Sequence, residues 1–101
     1  MVSIRSLDEV DGVPHANVFP GEEPKTIRLQ LPEGESVAPH SHPNRDIVLY
    51  LLDGRIDLSL DDETHEVTAG DIARFEGERE ISPHALESST ALILLAERSP
   101  E

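Results

Sequence analysis

Two histidines one residue apart, His40 and His42, lie in the run Pro39-His-Ser-His-Pro43. On an extended segment alternate side chains leave the same face about 6.6 Å apart, so two imidazoles could converge on one ion. A pair is not a complete site, because such metal centres take a third and often a fourth ligand, typically a carboxylate, with open positions left for substrate. Taken alone, a His-x-His between prolines reads first as a solvated loop. His15 sits in a proline-flanked stretch where a solvated side chain is the default, although a fold-back could carry it to the mouth of a barrel. His65 reads as a surface residue pairing with nearby carboxylates, and Ser82, Ser88 and Ser89 lack the Gly-x-Ser-x-Gly pattern of a serine nucleophile. Arg28, Arg55 and Arg74 could recognise an anion if they point inward, and Asp71 after Gly70 reads as a turn residue.

The elements that must position these residues are strands. No apolar stripe of helical period and useful length is present, whereas short alternating runs recur between Gly-, Pro- and Asp-rich breaks. The pattern predicts strands over 26–31, 36–42, 47–52, 55–60, 64–67, 72–75, 80–86 and 90–97. Such spacing belongs to an all-β sandwich or barrel. Asp53-Gly54 and Asp61-Asp62-Glu63 read as tight turns, which favour antiparallel neighbours. Residues 1–25, with Pro14, Pro20, Gly21 and Pro24, form an irregular arm with one short strand expected near 2–7; 26–97 form the barrel and 98–101 a tail.

Over 55–60, Ile56, Leu58 and Leu60 share one face and Arg55, Asp57 and Ser59 the other, so one side is wet. Residues 47–52 and 92–95 are apolar on both faces. A barrel strand has one inward face, so the outer face of these two needs a cover. A second subunit is the expected cover, giving a homodimer, with the folded-back arm as the alternative.

The chain's 101 residues suffice for one domain with a modest core. It carries 21 acidic and 8 basic residues, a net charge of −13, which repels a phosphate backbone and argues against a nucleic-acid partner. Only Lys25 is a lysine; arginines make up the other basic residues. This arginine-for-lysine, carboxylate-rich surface resembles that of proteins from salt-in halophiles, in which molar salt screens self-repulsion. With no cysteine, disulfides, thiolate metal sites and cysteine nucleophiles are all excluded. The longest apolar runs hold six residues, far short of the ~18 of a membrane span. No basic-then-apolar leader is visible, so a cytoplasmic location is expected.

The stretch from Gly34 through His40, His42 and Ile47 to Gly54 resembles the first motif of the cupins, Gly-x5-His-x-His-x3,4-Glu-x6-Gly, at both glycines and both histidines. Gly70-Asp71-Ile-Ala-Arg-Phe75, after Glu66-Val-Thr-Ala, is similar to the start of the second motif, Gly-x5-Pro-x-Gly-x2-His-x3-Asn. The resemblance covers about residues 26–97 and implies a jelly-roll β-barrel. It also implies a metal, but Ile47 falls where the family's glutamate ligand stands and Ile81 where its third histidine stands. At the family's shorter spacing Asp46 could be the acid, and a longer loop or a β-bulge could bring His84 to the histidine's place. Without such an adjustment both have the wrong parity for the interior.

Two functions follow from the resemblance. In one, the barrel binds a small molecule without catalysis, Ile47, Ile81 and Tyr50 lining its pocket and His40 and His42 remaining as a partial metal site. In the other, His40 and His42 with Asp46, His84 or both hold a divalent ion for a dioxygenase or isomerase type of reaction. A two-histidine, one-carboxylate set would favour Fe, and added histidine Zn, Mn, Ni or Cu.

Overall fold

The computed structural model describes residues 2–98. The alternating runs form eight strands: β1 (His15–Asn17), β2 (Lys25–Leu31), β3 (Arg45–Asp53), β4 (Arg55–Leu60), β5 (Glu63–Thr68), β6 (Ile72–Glu76), β7 (Ile81–Ala85) and β8 (Ser89–Glu97). They make a five-stranded sheet in the order β1-β2-β8-β3-β6 and a three-stranded sheet in the order β5-β4-β7. Every pairing is antiparallel, and the two sheets close face to face as a jelly-roll barrel.

Period-two patterning decides which side chains enter the core. Leu29 and Leu31 of β2, Ile47, Leu49 and Leu51 of β3, and Ala91 and Leu95 of β8 turn inward from the large sheet. Ile56, Leu58 and Leu60 of β4 meet them from the small one. Burying each of these larger aliphatic side chains contributes about 1.5–3 kcal/mol. The β3–β4 turn depends on Gly54, whose φ is 89° and where a Cβ would collide with the Ser88 carbonyl and with Ser89. The β4–β5 turn is Asp61-Asp62, with Asp61 at φ 57°.

Two expected strands are corrected. Residues 36–42 make only isolated bridges, Ser36 to His84 and His40 to Ile81. Pro39 and Pro43 lack the amide donors that a continuous ladder needs. Near the N-terminus a 3-10 turn, Leu7–Glu9, follows residues outside any strand, and the arm's strand is β1 instead.

The arm folds back onto the barrel. Val10, Ala16 and Val18 form a small second core against Leu7, Phe19 and Leu92, so part of the outer face of β8 is covered from within the chain. Arg28, buried in β2, clamps the arm by donating to the carbonyls of Leu7 (2.5 Å) and Gly12 (2.7 Å). The arm leaves Tyr50, Leu52 and Ile72 exposed. Of the tail, Arg98 is described and residues 99–101 lie outside the described range. No helix among the described residues is long and apolar enough to cross a membrane.

Candidate functional site

Between the two sheets lies a cavity of about 230 Å³. Its apolar wall is Ile27 of β2, Ile47 and Leu49 of β3, Phe75 of β6, and Ile93 and Leu95 of β8, with Ile81 and Pro83 of β7 opposite. The remaining lining is imidazole: His15, His40 and His42.

Backbone contacts with β7 and the β6–β7 turn hold the His40 segment in place. Val37 N–H donates to the Pro83 carbonyl at 3.0 Å, and His40 and Ile81 exchange bonds of 3.2 and 2.7 Å. Ser82 Oγ donates to the Val37 carbonyl at 2.6 Å, and the His42 amide donates to the Gly77 carbonyl at 2.6 Å. Gly77 is required here, since a Cβ would run into the His42 carbonyl. His15 arrives from β1, where it pairs with inward-facing Leu29.

The rings of His40 and His42 lie edge to face with centroids 5.0 Å apart, and those of His15 and His40 at 6.2 Å. His40 Nδ1 donates to the Ala38 carbonyl at 3.0 Å, which leaves Nε2 as its free lone pair. Burial, and next the proximity of His40, lowers His15 below its ordinary value. Burial and then His40 also lower His42, with further contributions from Lys25, His15 and Arg45. Burial first, and neighbouring positive charge second, thus favour the neutral form of His15 and His42.

His40, His42, Ile47 and Ile81 are brought together at the cavity; Asp46, Tyr50 and His84 are not. Asp46 faces the opposite side of β3 from Ile47, where Arg98 (3.1 Å) and Arg74 (3.2 Å) pair with it. The register shift in β3 falls between Leu51 and Asp53, beyond Asp46, and so does not re-aim it. His84 alternates with inward-facing Pro83 and Ala85 and bonds Ser36 Oγ at 2.5 Å on the other face of β7. Tyr50 projects from the outer face of the large sheet, paired with Leu92 and Ile72, and is 38% exposed. All three corrections have one cause: an ordinary strand keeps its parity, and no bulge intervenes at these positions.

Sequence reading left out Ile27, Leu49, Phe75, Pro83, Ile93 and Leu95 as wall residues. Strand alternation contained the signal, but which face of each strand meets the cavity depends on pairing across the sheets. The structure also puts His15 at the mouth, where its default reading as a solvated arm residue would not.

The metal implied by the resemblance does not fit the family's four-ligand set in this chain. Two of the four positions carry isoleucine side chains that face the cavity, and neither Asp46 nor His84 replaces them.

A double-sheet antiparallel barrel of this kind is the architecture of the jelly-roll class. The family model described as "Cupin domain" matches residues 27–96, and the chain belongs to that family. An uncharacterized protein of Methanocaldococcus jannaschii, MJ1618, is 28% identical over 74 residues, which span 73% of this chain and 57% of that protein. The match thus takes in little more than half of that curated relative's length. Among solved structures, an RmlC-like cupin from Shewanella frigidimarina superposes with a TM-score of 0.79 at 12% identity, covering 97% of this chain and 93% of that one. KdgF from Halomonas sp. gives 0.76 at 22% identity, covering 98% and 96%. A predicted oxalate decarboxylase from Thermotoga maritima gives 0.74 at 20% identity, covering 83% and 79%. At these identities the structural likeness establishes the fold.

Proposed function

We propose that this cupin barrel binds one small, largely apolar molecule whose polar end meets His40 and His42, and that it acts as a binding module. The apolar cavity with imidazoles at its mouth carries this reading. Its volume of about 230 Å³ lies below the roughly 300–1,000 Å³ of drug-sized sites, so the occupant is a small metabolite. The polar end of the occupant would meet imidazole at the mouth, and comparing carboxylates with their amides decides whether that end is charged.

The test is an NMR titration of tag-free, metal-free protein with hexanoate, benzoate and their neutral amides. Saturable shifts confined to wall residues are expected. Ile93→Trp, which fills the cavity, should abolish them. Failure of every probe to saturate, or equal binding by Ile93→Trp, overturns the reading.

Metal-dependent catalysis of a dioxygenase or isomerase type is the second reading, favoured by the survival of His40 and His42 at one cavity mouth. Any such chemistry would proceed without Asp46 and His84. A homodimer forms part of the proposal, with a second copy covering Tyr50, Leu52 and Ile72 where the arm does not reach.

A further inference from the structure

The polar lining of the cavity is imidazole, and among the described residues that lining holds no charged side chain. Lys25 and Arg45 lie near His42 but outside the lining, and Arg45 is already held by Glu23 at 2.8 Å. A carboxylate drawn into the mouth would give up water without gaining a charged partner from the lining, so neutral hydrogen bonding is left to fix the polar end. The three rings differ in what they offer it. Neither His15 nor His42 has a hydrogen-bonding partner that fixes its tautomer, so each can carry its proton on either nitrogen. His40 has no such choice. Its Nδ1 lies 3.0 Å from the Ala38 carbonyl, which has no proton to give, so Nδ1 bears the hydrogen and the neutral ring presents Nε2 as an acceptor.

We propose that His40 sets the ligand class: the occupant's polar end is a hydroxyl, which donates to His40 Nε2 and accepts from an N–H of His42 or His15. One oxygen can do both. Two hydrogen bonds of about 2.8 Å at a tetrahedral oxygen put their nitrogens about 4.6 Å apart, and the centroids of the His40 and His42 rings are 5.0 Å apart. A ketone or ether oxygen has no hydrogen for Nε2, and a carboxylate oxygen sets lone pair against lone pair. A primary amide can donate, but it divides donor and acceptor between two atoms, so a single bridging point between rings favours the hydroxyl. The proposal rests on the reading of this cavity as a small-molecule site and names the chemistry of the end that meets the histidines.

The fold, not the occupant, fixes the tautomer of His40. Ala38 lies two residues back along the same segment, and paired backbone bonds between His40 and Ile81 (3.2 and 2.7 Å) pin that segment to β7. A ligand that cannot donate leaves the Nε2 lone pair dry and unpaired, and this penalty is the source of the discrimination.

The experiment titrates tag-free protein with cyclohexanol, cyclohexanone and cyclohexane, which share a ring and differ in the polar end. Chelator is present throughout, at about pH 8, above the ordinary imidazole value of about 6.5. Wall methyl groups report binding by NMR, and long-range ¹H–¹⁵N spectra report the imidazole nitrogens. Before ligand, His40 is expected to show a protonated Nδ1 and a lone pair at Nε2. Cyclohexanol should bind roughly tenfold or more tighter than cyclohexanone and move the His40 Nε2 resonance, with the rings of His65 and His84 unmoved. His40→Phe should erase the preference for the alcohol while cyclohexane still binds; if that variant does not fold, the ring resonances of the wild type decide. Cyclohexanone binding as tightly as the alcohol, the opposite tautomer at His40, or an alcohol preference intact in folded His40→Phe overturns the proposal. Saturable binding of all three probes without preference removes the hydroxyl and keeps the cavity reading, whereas saturable binding of none removes both.

Discussion

Ile47 and Ile81 put aliphatic side chains on the cavity wall beside the histidine pair. The motif resemblance puts the family's acid and third histidine at these two positions. An aliphatic side chain at either position keeps the wall apolar and offers an ion no donor atom. The combined Ile47→Glu and Ile81→His substitution is expected to raise zinc affinity by more than the roughly 10–100-fold that a hydrogen-bonding partner behind a ligand is worth, measured by competition titration against a chromophoric chelator. Unchanged affinity would mean that these positions do not share an ion with His40 and His42. On the opposite face of β3, Asp46 has a different task, which is to pair with Arg98 and Arg74.

At the scale of elements, the arm and the C-terminal end of β8 are each fixed by an arginine. Arg28 spends two charged hydrogen bonds on arm carbonyls, and its Nε is buried without a partner. Hydrogen bonds from a charged group contribute about 1.5–3 kcal/mol apiece, so Arg28→Met should cost about 2–4 kcal/mol net of relieved desolvation. Urea unfolding measures that loss. Faster amide exchange at Val18 and Gln30, with Leu49 unchanged, would localise it to the arm. Beyond β8, Arg98 hydrogen-bonds Glu78 and, with the Asn44 amide, holds its carboxyl down to about 2 from an ordinary 4.5. As acid is added the unfolded chain takes up this proton first, so the contribution is complete above pH 4.5 and lost as pH falls through about 2. Arg98→Ala should flatten that part of the acid-unfolding curve, and a carboxyl NMR titration should find Glu78 raised toward its ordinary value, with the Asn44 amide still holding it below.

For the molecule as a whole, charge and uncovered surface matter most. Arg45, Arg55, Arg74, Arg79 and Arg98 all pair with carboxylates, yet the net charge of −13 leaves a large unpaired acidic excess. Raising salt from ~0.1 to ~1 M shortens the Debye length from about 10 to about 3 Å, and melting temperature should rise as self-repulsion is screened. A flat or falling profile would show that the exposed ion pairs outweigh the excess. The apolar side chains Tyr50, Leu52 and Ile72 on the outer sheet face are the surface proposed for a second copy. Light scattering should find a dimer that Tyr50→Glu dissociates into folded monomers; a wild-type monomer would remove the second subunit from the account.

Fold and candidate site were unequally legible in the sequence. Period-two runs and the turns at Gly54 and Asp61 specified most of the strands, because side-chain alternation and backbone conformation are local properties. The same parity placed Asp46 and His84 off the interior unless a bulge intervened, and the structure has none at those positions. Local pattern could not say that residues 36–42 would run as bridges beside β7, or that the arm, not a second subunit, would cover Leu92. Nor could it bring His15 within 6.2 Å of His40, since 24 intervening positions separate them in the chain. Residue types and their spacing determined the barrel, the histidine pair and the isoleucines at the two positions where the resemblance puts further ligands. Tertiary structure alone decided which faces enclose the cavity and that a third imidazole stands at its mouth, because those contacts depend on strands and an arm far apart in sequence packing on one another.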